Sequence, residues 1–443
     1  MRNAIRAGLI AAAALSLAAA QGAPTVTRSV LPNGLTVLSA PAEQGQIAGA
    51  ALLLKVGMAN EPEEMRGARA LLQQIVVIDS HAQINADRAP ASAFVNPRTS
   101  GLGVNTDWDF VEVSLATDAE ELDTGLATMA RHVFGVTLDA ERLDEARALV
   151  GRGYDLSHQS PVQATFELFR RALYGPGTLG ESLQGDPEGL AAISLEGLQA
   201  FRDAHYVPGN AILCVAAPQP TEEVLAAVRA AFEAVPAAPV PESPPVPAPP
   251  AESLVEVGES ADLVQASLVV GVPLPSYGDP QFPAGQMIAE LLEGRGGRLR
   301  RDLSLLQALG LAIPTRLLDE HYPIGTLPIP VSHQPFLAMH ALCSPNTIER
   351  TREGLLRHLL ELRTRTVADA ELARARQRAI NSILVEHAAP VDLALLLARR
   401  ELFGAGDISA GVAALEAVTA EDLEAVAQQY FDRHAVGVQM PAI

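Results

Sequence analysis

Apolar positions along the chain fall into two kinds of pattern. The run Leu31-Pro-Asn-Gly-Leu-Thr-Val-Leu38 reads as a β-hairpin turning at Asn-Gly. A continuous apolar stretch over 47–56 predicts a buried strand, and 264–272 plays the same part later in the chain. Segments 211–215, 336–343 and 435–438 are also β-like. Elsewhere the apolar residues recur with helical spacing, over 67–78, 119–134, 140–150, 221–234, 282–292, 347–364 and 369–385. This mixture predicts an α+β fold: a mixed sheet with helices on one side, built twice.

The doubling rests on an ungapped alignment. Residues 193–206 lie on residues 418–431. Each segment opens on an apolar residue followed by a hydroxyl residue suited to a helix N-cap, Ser194 and Thr419. Each then places apolar residues at helical spacing, Leu198 and Phe201 in one and Leu423 and Val426 in the other, before a β-like run. Between the halves lies the stretch PAAPVPESPPVPAPP, from Pro236 to Pro250. Its prolines remove backbone donors and favour a stiff spacer. The expected organisation is two homologous α/β-sandwich domains, 21–235 and 254–443, joined by a Pro-rich linker over 236–253.

The first twenty residues carry a different signal. Arg2 and Arg6 precede an apolar run over 7–17, and Ala18-Ala19-Ala20 offers small residues for cleavage. This is the pattern of a secretory signal peptide over 1–20, too short to span a bilayer comfortably. It predicts export to the periplasm or the exterior of a bacterial cell. No later apolar stretch reaches spanning length without charge or Pro, so no stable membrane span is expected. The formal charge of −20 argues against a nucleic-acid partner, because no basic field is present to neutralise phosphates. Cys214 and Cys343 sit in separate β-like runs and read as buried packing residues, although export permits a disulfide.

Several of these pieces occur in a familiar order. After the hairpin come Lys55-Val56-Gly57, Glu63-Glu64 and Gly67; then Gly103-Val-Asn105 and Phe110-Val-Glu-Val-Ser-Leu115; then Gly185 and 193–210 with Tyr206 and Asn210. In the second half, Gln265-Ala266, the segment 291–299 and Glu371-Leu-Ala-Arg-Ala375 follow. The series resembles the pitrilysin/insulinase family of zinc peptidases. It covers nearly all of the chain beyond residue 20.

Active members of that family carry a His-x-x-Glu-His motif on a helix. Two His at i and i+4 share a face and hold one zinc ion, while the Glu activates water. A Glu from a later helix completes the ligands. Here the resemblance places the motif in Gly67-Ala-Arg-Ala70-Leu-Leu-Gln73-Gln74, so Ala70 and Gln74 stand for the two His and Gln73 for the base. Alanine has no donor atom, and a neutral amide is a poor zinc ligand and no base. The later Glu falls near Val150-Gly-Arg-Gly153, which has no carboxylate; Glu145 and Asp155 are the nearest acids. Neither His-x-x-Glu-His nor His-Glu-x-x-His occurs anywhere in the chain.

The expectation is therefore a chain with no catalytic residues, no metal ligands and no cofactor of its own. The resemblance further implies that Gly294, Gly296, Gly297 and Arg298 form a shortened version of a Gly-rich loop that, in the family's non-catalytic subunits, lies near the peptide cleft. The expected role is a non-catalytic subunit. It would pair with an active zinc-peptidase homologue as a heterodimer and help enclose unfolded peptides. The alternative is a stand-alone exported peptide-binding or scaffolding protein.

Overall fold

Strand β1 (Thr27–Val30) turns through the Asn-Gly segment and returns antiparallel as β2 (Thr36–Pro41), with Val30 opposite Thr36. The structure is a computed structural model, and it describes residues 25–42, 45–87, 101–175, 177–242, 253–260, 263–293, 297–299, 335–386 and 389–442. The expected signal peptide over 1–20 and most of the Pro-rich stretch, 243–252, lie outside the described residues. The buried Asn33 side chain donates to the carbonyls of Phe232 at 2.8 Å and Val235 at 3.0 Å. That pair of bonds ties the hairpin to a segment about 200 residues away.

The first half builds a six-stranded sheet in the order β1-β2-β6-β3-β5-β4, with β3 Ile47–Leu54, β4 Gly101–Thr106, β5 Val111–Asp118 and β6 Ala211–Ala217. The second builds a four-stranded sheet in the order β7-β10-β8-β9, from Leu254–Ser260, Ala435–Pro441, Ala266–Pro273 and Phe336–Cys343. In the first sheet β2 is parallel to β6, β6 antiparallel to β3, and β3 antiparallel to β5. The second sheet repeats those senses in β7, β10, β8 and β9. The halves thus share one topology, as the aligned caps predict. Ser194 accepts from the Gly197 N–H and Thr419 from the Asp422 N–H, each opening a helix that runs into the central parallel strand.

Among the described residues seven helices belong to the first half: α1 (Ala68–Asp87), α2 (Leu122–Phe134), α3 (Ala140–His158), α4 (Pro161–Tyr174), α5 (Pro187–Ala192), α6 (Leu195–His205) and α7 (Thr221–Phe232). Among the described residues the second half contributes α8 (Phe282–Glu293), α9 (Ile348–Leu360), α10 (Asp369–Glu386), α11 (Pro390–Leu402), α12 (Ile408–Ala417) and α13 (Ala420–Tyr430). Most follow the apolar periodicity. Two run further than it: α1 extends past residue 78 and α3 past residue 150, where apolar spacing stops but the helix continues through Gly151 and Gly153.

Each sheet packs its own helices on one face. Val37, Ala50, Leu52, Leu213 and Val215 of the first sheet bury against Leu71 and Ile75 of α1, Leu126 and Met129 of α2, and Val228 of α7. The opposite face is covered from the other half. Leu38, Ala51, Leu53, Ile212 and Cys214 join the core of the second half, with Leu393, Ala394 and Leu397 of α11 lying across them. The arrangement is reciprocal: Phe169, Ala172 and Leu173 of α4 cover Val269, Phe336, Ala338 and Ala435 of the second sheet. So the expectation of helices on one side holds within each half, and one exchanged helix from its companion fills the remaining face. Burial on both faces explains why these strands read as continuous apolar runs.

The exchange requires close backbone approach. A Cβ at Gly49 on β3 would lie 2.2 Å from the Val391 nitrogen, and one at Gly437 on β10 would lie 2.4 Å from the Thr165 carbonyl oxygen. Cys214 and Cys343 are buried, unbridged packing residues in different sheets. Among the described residues no helix is long and apolar enough to cross a membrane.

Candidate functional site

Helix α1 carries the motif positions, and its first turn is rigidly set. Gly67 enters the helix at φ +91° and faces Gly185, at φ +72°. A side chain on either would meet the other segment's backbone: the added Cβ would sit 2.7 Å from the Gln184 oxygen in one case and 2.7 Å from the Arg66 oxygen in the other. Both are glycines because the conformation and the contact each exclude a Cβ. Just before the helix, Glu61 accepts the Arg69 backbone N–H at 2.8 Å and faces the Arg69 guanidinium Nε at 3.4 Å. Both side chains are almost fully buried. Burial raises the Glu61 carboxyl pKa, with the Arg69 charge pulling it down. The carboxylate also complements the positive end of the helix.

Ala70, Gln73 and Gln74 follow at i, i+3 and i+4, on one face of α1. Ala70 is buried within the apolar core of the first half. Gln73 and Gln74 are half-buried. Gln73 is committed to strand β4: its Nε2 donates to the Val104 carbonyl at 2.9 Å, and its Oε1 accepts from the Thr106 hydroxyl. The amide at the general-base position therefore serves as a helix-to-strand link.

The second helix that matters is α3, which packs against α1. At 150–153 it presents a buried Val150, two glycines and an exposed Arg152. Glu145 and Asp155 are both exposed. These residues do not fit a zinc ion: a methyl group and two amides stand on one helix, and no carboxylate stands at the facing positions. Among the described residues, no group of three or more His, Cys, Asp or Glu side chains is arranged to hold a metal.

The Gly-rich segment is only partly described. Gly294 and Gly296 lie outside the described residues, while Gly297 is buried. Arg298 donates from Nε to Glu371 Oε1 at 3.1 Å and from Nη2 to Oε2 at 3.0 Å. That bidentate pair holds the end of the segment against α10.

Other polar groups gather where the halves meet. Thr165 on α4 donates to Ser267 Oγ at 2.7 Å, and Ser267 Oγ lies 3.1 Å from His340 Nε2. Burial lowers the His340 pKa to about 4. On the reciprocal side, Arg399 of α11 pairs with Glu112 of β5 at 3.5 Å and lies 5.4 Å from the Phe110 ring centre. Burial raises the Glu112 carboxyl pKa against the lowering effect of Arg399. Arg170 of α4 stacks over Trp108 at 4.4 Å. These two arginines went unread in the sequence, yet a signal for them exists. Residues 161–175, PVQATFELFRRALYG, align without gaps on 390–404, PVDLALLLARRELFG, and pair Arg170 with Arg399.

Known proteins share this fold. Residues 192–379 match the family profile described as the Peptidase M16 inactive domain. A protein of Streptomyces coelicolor described as an uncharacterized zinc protease is 21% identical over 298 residues, covering 66% of this chain and 64% of that protein. The chain thus matches less than two thirds of that relative's length. Among solved structures, a protease from Helicobacter pylori superposes with a TM-score of 0.79 at 18% identity, over 95% of this chain and all of the other. A peptidase M16 inactive domain from Pseudomonas fluorescens superposes with a TM-score of 0.78 at 18% identity, over 95% and 98% of the two chains.

Proposed function

We propose that the chain is a non-catalytic member of the M16, or pitrilysin/insulinase, family of peptidases that pairs with a motif-intact homologue and helps to enclose unfolded peptides. One observation carries the reading. Helix α1 keeps its entry turn, its buried Glu61–Arg69 anchor and its packing, while Ala70, Gln73 and Gln74 offer neither metal donors nor a base. A wall of a peptide chamber needs shape and backbone order; only one wall needs the metal. Zinc and the activated water would come from the partner.

The segment Gly294, Gly296, Gly297 and Arg298 is the proposed peptide contact of this chain. The charge pattern of residues 1–20 supports export, to the periplasm or beyond the cell.

Co-expression with a motif-intact homologue of the same organism tests the pairing. The expected result is a complex that survives gel filtration at micromolar concentration and cleaves unstructured peptides faster than the homologue alone. Separate elution, with the homologue fully active unaided, would instead favour a stand-alone exported peptide-binding or scaffolding protein.

A further inference from the structure

The loop after α11 folds around the guanidinium of Arg400. Its Nε donates to the Gly406 carbonyl at 2.9 Å, and its Nη2 to the carbonyls of Ala405 at 2.6 Å and Asp407 at 2.7 Å. The residue is only 6% exposed. All three acceptors are neutral. Among the described residues no acidic partner for Arg400 occurs, and the hydrogen bonds it makes come from Nε and Nη2. Arg28, Arg69, Arg142, Arg298 and Arg399, in contrast, each face a carboxylate. A buried guanidinium whose partners are all carbonyls favours an anion at its remaining N–H groups.

Arg400 lines a cleft of about 200 Å³ between the start of α8, the end of α10, and α12. Tyr277, Phe282, Pro283, Ile383 and Ala414 form much of its wall. The Tyr277 ring lies 4.5 Å from that of Phe282 and 5.2 Å from that of Phe403, so one side of the cleft is aromatic. Gly411 flanks the cation: a Cβ there would sit 2.8 Å from Nη2 and 2.9 Å from Nη1, so a side chain would crowd the guanidinium. The acid in the lining, Asp279, has one carboxylate oxygen accepting the Gln281 N–H at 2.8 Å. A recess that sets aromatic and aliphatic walls beside one buried cation is suited to orienting an amphiphilic anion. An apolar cavity of about 150 Å³ suffices for benzene.

We propose that this cleft binds a carboxylate borne on an apolar group, the carboxylate at Arg400 Nη1 and the apolar part against Tyr277, Phe282 and Ala414. The C-terminus of a peptide ending in an apolar residue and a free hydrophobic acid share that chemistry. The site lies entirely within the second half and does not depend on a peptidase partner.

Calorimetric titration of the purified chain at neutral pH with N-acetyl-Leu-Phe, its C-terminal amide and 3-phenylpropionate tests the assignment. The peptide acid should bind about tenfold or more tighter than the amide, the loss of one charge-assisted contact. Binding of the peptide acid without 3-phenylpropionate supports the site and assigns it to peptide C-termini; binding of both supports a general site for hydrophobic acids. Ala414→Leu narrows the cleft without removing an Arg400 hydrogen bond, and it should abolish binding while thermal unfolding stays unchanged. Equal binding of acid and amide, no binding of the peptide acid, or binding unaffected by Ala414→Leu would overturn the proposal.

Discussion

The Thr106 hydroxyl donates to the amide oxygen of Gln73, and the other end of that amide donates to the Val104 carbonyl at 2.9 Å. The position where the resemblance to the zinc peptidases puts a general base is thus spent on joining α1 to β4. Restoring the acid alone should be harmful. Gln73→Glu places a carboxylate against the Val104 carbonyl and removes a donor, at a cost of about 1–3 kcal/mol near neutral pH. Urea denaturation measures it; stability equal to that of the parent would contradict the linking role.

The exchanged helices should depend on two glycines. Gly49→Val or Gly437→Val puts a side chain where backbone atoms of Val391 or Thr165 already lie within 2.4 Å of the first added carbon. Overpacking of this kind costs about 3 kcal/mol or more when backbone must move. Thermal unfolding should show the loss at both positions, because each glycine lies under one of the two exchanged helices. A variant of full stability at either position would show that the helix does not rest there.

Much of this architecture was legible in the sequence. The Asn-Gly turn, the caps Ser194 and Thr419, and the apolar helical spacing each reflect a local rule, and each element formed where expected. The exchanged helices α4 and α11 were missed. In α11, Val391, Leu393, Ala394, Leu396, Leu397 and Ala398 are all buried, so no polar face marks a helical period. Their partners are also distant in sequence, and the repeated Pro-Val opening and Arg-Arg-x-Leu-aromatic-Gly ending are what link them. At the site, the residue types at 70, 73 and 74 could be read from the sequence. The bonds that Gln73 makes could not, because β4 reaches α1 only through the tertiary fold.

Acid should weaken the junction between the halves. His340 is neutral in the fold, with its pKa lowered to about 4 by burial, whereas a free histidine titrates near 6.5. The unfolded chain therefore takes up a proton that the folded chain refuses as pH falls from about 6.5 to about 4. Stability contributed by the neutral ring is complete above that window and is lost through it, by at most about 3 kcal/mol. His340→Gln keeps a polar group near Ser267 without titrating. Denaturation curves between pH 7 and pH 4 should be flatter for that variant than for the parent; identical slopes would remove His340 as the cause.

On the proposed reading, this peptidase-like fold holds no catalytic metal of its own. Elemental analysis of the purified chain after extensive dialysis, run beside turnover of an unstructured fluorogenic peptide, tests it most directly. Ala70, Gln73, Gln74 and the glycines at 151 and 153 predict well under one zinc ion per chain and no chelator-sensitive cleavage. One tightly held zinc per chain, with peptide cleavage that a chelator abolishes, would contradict the account.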